Sequence, residues 1–114
     1  MTNHNFKKTL RKGNDRKIKI YLNELKKVFG KELKKAILFG SRARGDNSAD
    51  SDYDFCLIFD KVTPKVKKTL DNLSVEMLLK YGMIITDFAL TERDLERKRF
   101  NPLIMNIQKE GIPL

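Results

Sequence analysis

Residues 36–59 read AILFGSRARGDNSADSDYDFCLIF, and the order of these residues decides the fold. Ala36-Ile37-Leu38-Phe39 is a continuous apolar run, too short for an independent helix and ended by Gly40, so it predicts a central strand. Gly40-Ser41 then opens a short helix-prone turn whose backbone N–H groups and hydroxyl would face an anion. The small polar residues 46–51 predict a surface loop. Asp52 to Phe59 predicts a second strand, apolar on both faces apart from its aspartates. Alternation puts Asp52, Asp54, Cys56 and Ile58 on one face and Tyr53, Phe55, Leu57 and Phe59 on the other. The two carboxylates then point the same way, about 7 Å apart along the strand at two residues' rise.

Working outward towards the N-terminus, Ile18, Tyr21, Leu22, Leu25, Val28 and Phe29 form a helical stripe with Lys19, Lys26 and Lys27 off it. Asp15 is its expected N-cap and Gly30 its stop. Residues 1–14 show no sustained apolar period and predict a flexible basic leader, in which His4 has no second ligand near it. Towards the C-terminus, Pro64 opens a helix with Val66, Leu70, Leu73, Met77 and Tyr81 as its buried stripe and Gly82 as its stop. A third strand, Met83 to Leu90, is interrupted by one acid, Asp87, which alternates with Ile85 and Ala89. Thr91 and Asp94 resemble a capping box that starts a short charged helix through Arg99. Asn101-Pro102 caps a last helix carrying Leu103, Ile104 and Ile107 and ended by Gly111. The order helix, strand, strand, helix, strand, helix, helix predicts an α/β (α+β) fold, a small mixed sheet flanked by helices over residues 15–114.

A chain of 114 residues is long enough for one core and too short for two. It contains no run of eighteen apolar residues and no charged-then-apolar leader, which predicts a cytoplasmic protein with no membrane role. Cys56 is the single cysteine, so no internal disulfide can form, and its place in a strand pattern predicts a small buried residue. The net charge of +9 is uneven: residues 1–35 hold twelve Lys/Arg against three Asp/Glu, and residues 36–114 hold twelve of each. The basic third is expected to be either a solvated helix face with a loose tail or an electrostatic handle for an acidic partner surface or RNA.

A lone aspartate inside a buried strand costs several kcal/mol unless a cation or hydrogen bonds compensate it, on the order given by polar-group transfer. Asp87 is therefore expected beside Asp52 and Asp54, on the same face. Three such carboxylates select Mg²⁺ or Mn²⁺ rather than Zn²⁺, since no His or Cys cluster competes. Two ions about 3.5–4 Å apart could clamp a phosphoryl group. Gly40-Ser41, with Arg42 or Arg44 nearby, suits the β- and γ-phosphates of an incoming nucleotide. The parts describe phosphoryl or nucleotidyl transfer.

Gly40-Ser41, ten residues, Asp52-x-Asp54 and then Asp87 resemble the nucleotidyltransferases of the polymerase-beta superfamily. The short chain is most similar to its minimal nucleotidyltransferase (MNT) group, from about Ala36 to the C-terminus, including Asn101-Pro102-Leu103 and Glu110-Gly111. The resemblance implies Asp52 and Asp54 as ligands of two Mg²⁺ ions, and Asp87 as a ligand of the catalytic ion and base for the acceptor hydroxyl. It implies ATP as donor, with Gly40 and Ser41, and less firmly Arg42 and Arg44, on its phosphates. It further implies an antitoxin that transfers AMP to a tyrosine of a HEPN-family toxin encoded nearby, in a hetero-oligomer whose partner supplies the acceptor surface. Two other readings use the same residues: a non-catalytic antitoxin that acts by complex formation, and a nucleotidyltransferase acting on RNA.

Overall fold

The computed structural model describes residues 14–114, with side chains from residue 16 onward. The leader expected over residues 1–14, His4 included, lies outside the described residues up to residue 13. Helix α1 (Asn14–Phe29) leads through a single 3-10 turn (Gly30–Glu32) into β1 (Leu33–Phe39). The short helix α2 (Ser41–Arg44) and a loop connect to β2 (Tyr53–Phe59). Helix α3 (Pro64–Tyr81), β3 (Ile85–Leu90), α4 (Glu92–Arg97), α5 (Pro102–Glu110) and the two-residue β4 (Ile112–Pro113) complete the chain. The expected helices and three strands are all present. β1 begins three residues before the apolar run, because Leu33 pairs with Phe59 and Lys35 with Ile58, which extends the ladder through two exposed lysines. β4 has too few residues to show any period.

The four-stranded sheet runs in the order β3-β2-β1-β4. β2 pairs antiparallel with β1 and parallel with β3, and β4 pairs antiparallel with β1. Helices α1 and α3 cover one face, where Ile18, Tyr21, Leu25 and Phe29 of α1 and Val66, Leu70, Leu73 and Met77 of α3 meet Tyr53, Phe55, Leu57 and Phe59. Val28 and Tyr81, expected in those stripes, are exposed, since each lies at the margin of its helix's apolar arc. The opposite face carries Phe39, Cys56 and Ile58 under Ile104 and Ile107 of α5, with Leu95 of α4 beside them. Cys56 is buried and its thiol is pushed up to about 11 by that burial. Both strand faces are therefore apolar, as a central strand requires.

Local chemistry sets the helix ends. Thr63 caps α3 through its hydroxyl, which accepts from the Val66 N–H, and Pro64 follows at the first helical position. Thr91 and Asp94 form a complete reciprocal capping box on α4, with each side chain accepting from the other's N–H. Asn101 caps α5 by accepting from the Leu103 N–H. At the far end of α5, Gly111 has no room for a side chain: a Cβ there would run into the Ile107 carbonyl and the Ile37 side chain. That close approach lets the chain turn directly from α5 into β4, which lies against Ile37 and Leu38 of β1. Among the described residues no helix is long and apolar enough to cross a membrane.

Candidate active site

β1 and β2 are antiparallel, so the end of β1 lies beside the start of β2, and Phe39 is paired with Asp54. The Gly40–Ser41 turn is thereby brought against the first carboxylates of β2. Gly40 adopts φ 79°, ψ −161°, a conformation that side-chain-bearing residues rarely adopt. A Cβ at Gly40 would also collide with the Asp54 carboxylate. Glycine is needed here for both reasons, and the backbone touches the acid as a result. Ser41 is the first residue of α2, whose Ala43 and Arg44 N–H groups both bond back to the Gly40 carbonyl at 3.0 Å.

Asp52 immediately precedes β2 and is exposed, while Asp54 is half-buried within it. Burial raises the Asp54 carboxyl above the ordinary carboxylate range, and the charges of Asp52 and Glu110 add to this against the opposing pull of Arg44. Thr86 of β3 is paired with Asp54 across the parallel ladder and donates its hydroxyl to Asp52 at 3.3 Å. Asp52, Asp54, Gly40 and Ser41 thus gather at one end of the face that α5 only partly covers, with Arg44 beside them.

Asp87 is elsewhere. Its partner across the β2–β3 ladder is Phe55, not Asp54, and directly paired residues share a face. It therefore points to the α1/α3 side of the sheet, contrary to its expected place beside Asp52 and Asp54. There its Oδ2 accepts from the Tyr21 hydroxyl at 2.6 Å and the Ser74 hydroxyl at 3.3 Å, and Tyr21 stacks on Phe55 at 5.1 Å. Hydrogen bonds from two helices compensate Oδ2, while Oδ1 is buried with no partner among the described residues. Burial pushes its carboxyl up to about 6, with the two hydroxyl bonds pulling the other way. The physical reason for the displacement is phase: alternation within β3 is as expected, but the ladder joins Thr86, not Asp87, to Asp54.

Arg42 is also not on the phosphate side. Its guanidinium is buried, donates to the carbonyls of Ser48, Ala49 and Ser51, and lies 3.8 Å over the Tyr53 ring. Its role is to fasten loop 46–51, and through it the approach to Asp52. Arg44 stays at the site rim, donating to Asp46 and to Glu110, each at 3.0 Å, and these bonds hold its pKa further above the ordinary value.

Glu110, the last residue of α5, was not expected at the site. Its Oε1 accepts from the Gly40 N–H at 3.0 Å as well as from Arg44. The resemblance covers the Glu110-Gly111 segment but gives Glu110 no role, and Gly111 is the signal that the chain turns there at once.

Among the described residues no three His, Cys, Asp or Glu side chains are grouped to hold a metal ion. A Mg²⁺ site needs less from the protein than a closed cage. One or two carboxylates plus substrate phosphates and water suffice, and the Asp52–Asp54 pair with its hard oxygens fits that pattern.

The family model Polymerase beta, Nucleotidyltransferase matches residues 16–114. A Methanocaldococcus jannaschii protein with the provisional name protein adenylyltransferase is 38% identical over 91 residues, 76% of this chain and 61% of that protein. The chain thus spans about three-fifths of that relative. A second protein of the same organism, with the same provisional name, is 34% identical over 97 residues, 85% of this chain and 93% of the relative. Among solved structures, a toxin–antitoxin complex with AMP-PNP contains a chain that superposes with a TM-score of 0.56 at 16% identity, covering 82% of this chain and 68% of that one, a likeness of fold. The matched span holds the whole described fold and both site aspartates, and the chain belongs to the polymerase-beta nucleotidyltransferase family.

Proposed function

We propose that this protein is a Mg²⁺-dependent protein adenylyltransferase that moves AMP from ATP to a hydroxyl of a partner protein. The observation that carries the reading is the close approach of the Gly40–Ser41 turn to Asp54, with Asp52 two residues before it: a glycine turn built against a carboxylate pair. Asp52 and Asp54 would hold the metal ion, which when bound neutralises phosphate charge and polarises the α-phosphoryl group. Asp87, fixed between α1 and α3, has no part in this. Ser41 would offer its N–H and hydroxyl to the phosphates, and Arg44 at the rim would add positive charge. In the reaction the acceptor oxygen bonds to the α-phosphorus, the bond to the β-phosphate bridging oxygen breaks, and pyrophosphate leaves with that electron pair. The acceptor proton is lost to water, to which the site opens at the exposed Asp52.

The provisional names of the two relatives support a protein acceptor. The structural neighbour comes from a toxin–antitoxin complex with an ATP analogue, which supports an antitoxin role with a toxin partner. We take the acceptor to be a tyrosine of a HEPN-type toxin and the pair to be a hetero-oligomer. The test is incubation with α-labelled ATP, Mg²⁺ and the product of the neighbouring gene. Label on that product should be lost in Asp52→Asn and Asp54→Asn and retained in Asp87→Asn. No label with the unaltered protein, or equal label with Asp54→Asn, refutes the assignment.

A further inference from the structure

Among the described residues Glu110 is the acidic side chain from outside the β1–β2 motif that hydrogen-bonds to the Gly40–Ser41 turn. A single oxygen, Oε1, accepts from the Gly40 backbone N–H and from the Arg44 guanidinium, both at 3.0 Å. The Glu110 side chain is 21% exposed and the Arg44 side chain 47%, so the bond to the Gly40 N–H is the sheltered one and the bond to Arg44 faces water. Gly40 is pinned between two acids: Asp54 lies where its Cβ would be, and Glu110 holds its N–H. Arg44 is likewise held from two sides, by Asp46 and by Glu110. The reach is built into the chain path, because Gly111 turns α5 directly into β4 and β4 lies alongside the last residues of β1.

We infer that Glu110 is a positioning residue for the donor nucleotide, one that fixes the Gly40–Ser41 turn and aims Arg44 at the phosphates. The inference rests on the proposed function for its substrate, but not for its geometry. The carboxylate never contacts the reacting atoms. It sets the Gly40 N–H back towards α5, leaving the Ser41 end of the turn to the anion. It also holds the Arg44 charge beside Asp54, where an untethered side chain on a rim would sample many rotamers. A charged acceptor on a backbone N–H and on a guanidinium makes stronger bonds than a neutral one, so the two conservative replacements separate the two tasks. Gln keeps an oxygen for the Gly40 N–H and lacks the charge for Arg44. Ala lacks both.

The experiment measures two quantities on the full chain and on Glu110→Gln and Glu110→Ala: amide hydrogen exchange at Gly40, and affinity for AMP-PNP with Mg²⁺ by calorimetry. Exchange at Gly40 should accelerate by about tenfold or more in Glu110→Ala and stay near the original rate in Glu110→Gln, while core amides of β2 are unchanged. AMP-PNP affinity should fall by about tenfold in Glu110→Ala and by a smaller factor in Glu110→Gln. In the transfer assay the Ala variant should lose mainly in KM for ATP, with kcat much less affected. Unchanged Gly40 exchange in the Ala variant overturns the inference, and so does faster exchange with unchanged or tighter AMP-PNP binding. Equal loss in both variants also overturns it. If the unaltered protein binds AMP-PNP but labels no protein, the proposed function fails alone and the Glu110 inference is still decided by exchange and affinity.

Discussion

Replacing Asp87 with asparagine separates a structural carboxylate from a catalytic one. Asp87 is clamped by Tyr21 and Ser74 through Oδ2, while its Oδ1 is buried without a hydrogen-bond partner among the described residues. Its carboxyl is pushed up to about 6 by burial, from an ordinary 3.8. A group whose proton is held more tightly in the folded state stabilises the fold below its unfolded pKa and loses that contribution as pH rises through the folded value. Two pH units of displacement correspond to about 3 kcal/mol, at 1.36 kcal/mol per unit. Between pH 3.8 and somewhat above pH 6 the unaltered protein should therefore lose on the order of 3 kcal/mol from this one site.

An asparagine in the same place cannot ionise. Its carbonyl oxygen can still accept from Tyr21, and its new NH₂ group replaces the orphaned oxygen. Urea unfolding of Asp87→Asn followed from pH 4 to 8 should lack most of that decline, so the difference from the unaltered protein grows in the variant's favour as pH rises. The unpaired NH₂ lowers the whole curve by about 1–3 kcal/mol without altering its shape. In the AMP-transfer assay the folded variant should remain within about threefold of the unaltered protein, whereas Asp54→Asn should fall by more than about a hundredfold, as loss of a metal ligand implies. A folded Asp87→Asn protein without transfer activity would refute the argument, because it would place Asp87 at the reacting centre. Parallel pH curves for the two proteins would refute the buried-carboxylate account separately.

Gly40→Ala should abolish transfer, because a Cβ at that left-handed position meets the Asp54 carboxylate, and it should cost about 1–3 kcal/mol of stability by thermal unfolding. Arg42→Ala should destabilise by about 1–3 kcal/mol in urea, since it removes a buried side chain that holds three carbonyls of loop 46–51, and proteolysis should then begin in that loop. Arg16, Lys19, Lys26 and Lys27 of α1 are exposed, with Lys27 paired to Glu24 at 3.6 Å. If they form part of a handle for an acidic partner, affinity for the neighbouring gene product should fall at least tenfold between 50 and 200 mM salt, values on the order used for counterion effects, and an unchanged affinity rules the handle out.

The legible parts of this chain were those in which one short stretch decides its own geometry. Residues 36–59 contain both partners of an antiparallel pair, so the Gly40–Ser41 turn and Asp54 meet whatever the rest of the chain does. Asp87 depends on a parallel ladder formed across an intervening helix, and alternation within a strand carries no information about its phase against a neighbour when both faces of that neighbour are apolar. A one-residue shift moves every side chain to the other face. The information that fixes the phase lies in the helices. Tyr21 and Ser74 interrupt the otherwise apolar faces of α1 and α3, and each needs a buried polar partner; Asp87 is the acid that satisfies both. The Glu110-Gly111 segment is legible as part of the family resemblance, but its place at the Gly40 turn is not, since β4 is two residues long and leaves no period. Arg42 and Arg44 show the same limit on a smaller scale. They are two residues apart on one turn, yet one guanidinium is enclosed by loop carbonyls and the other stays at the rim. Which arginine can meet a phosphate is decided by which guanidinium the loop carbonyls enclose, since the Asp46 carboxylate leaves Arg44 at the surface.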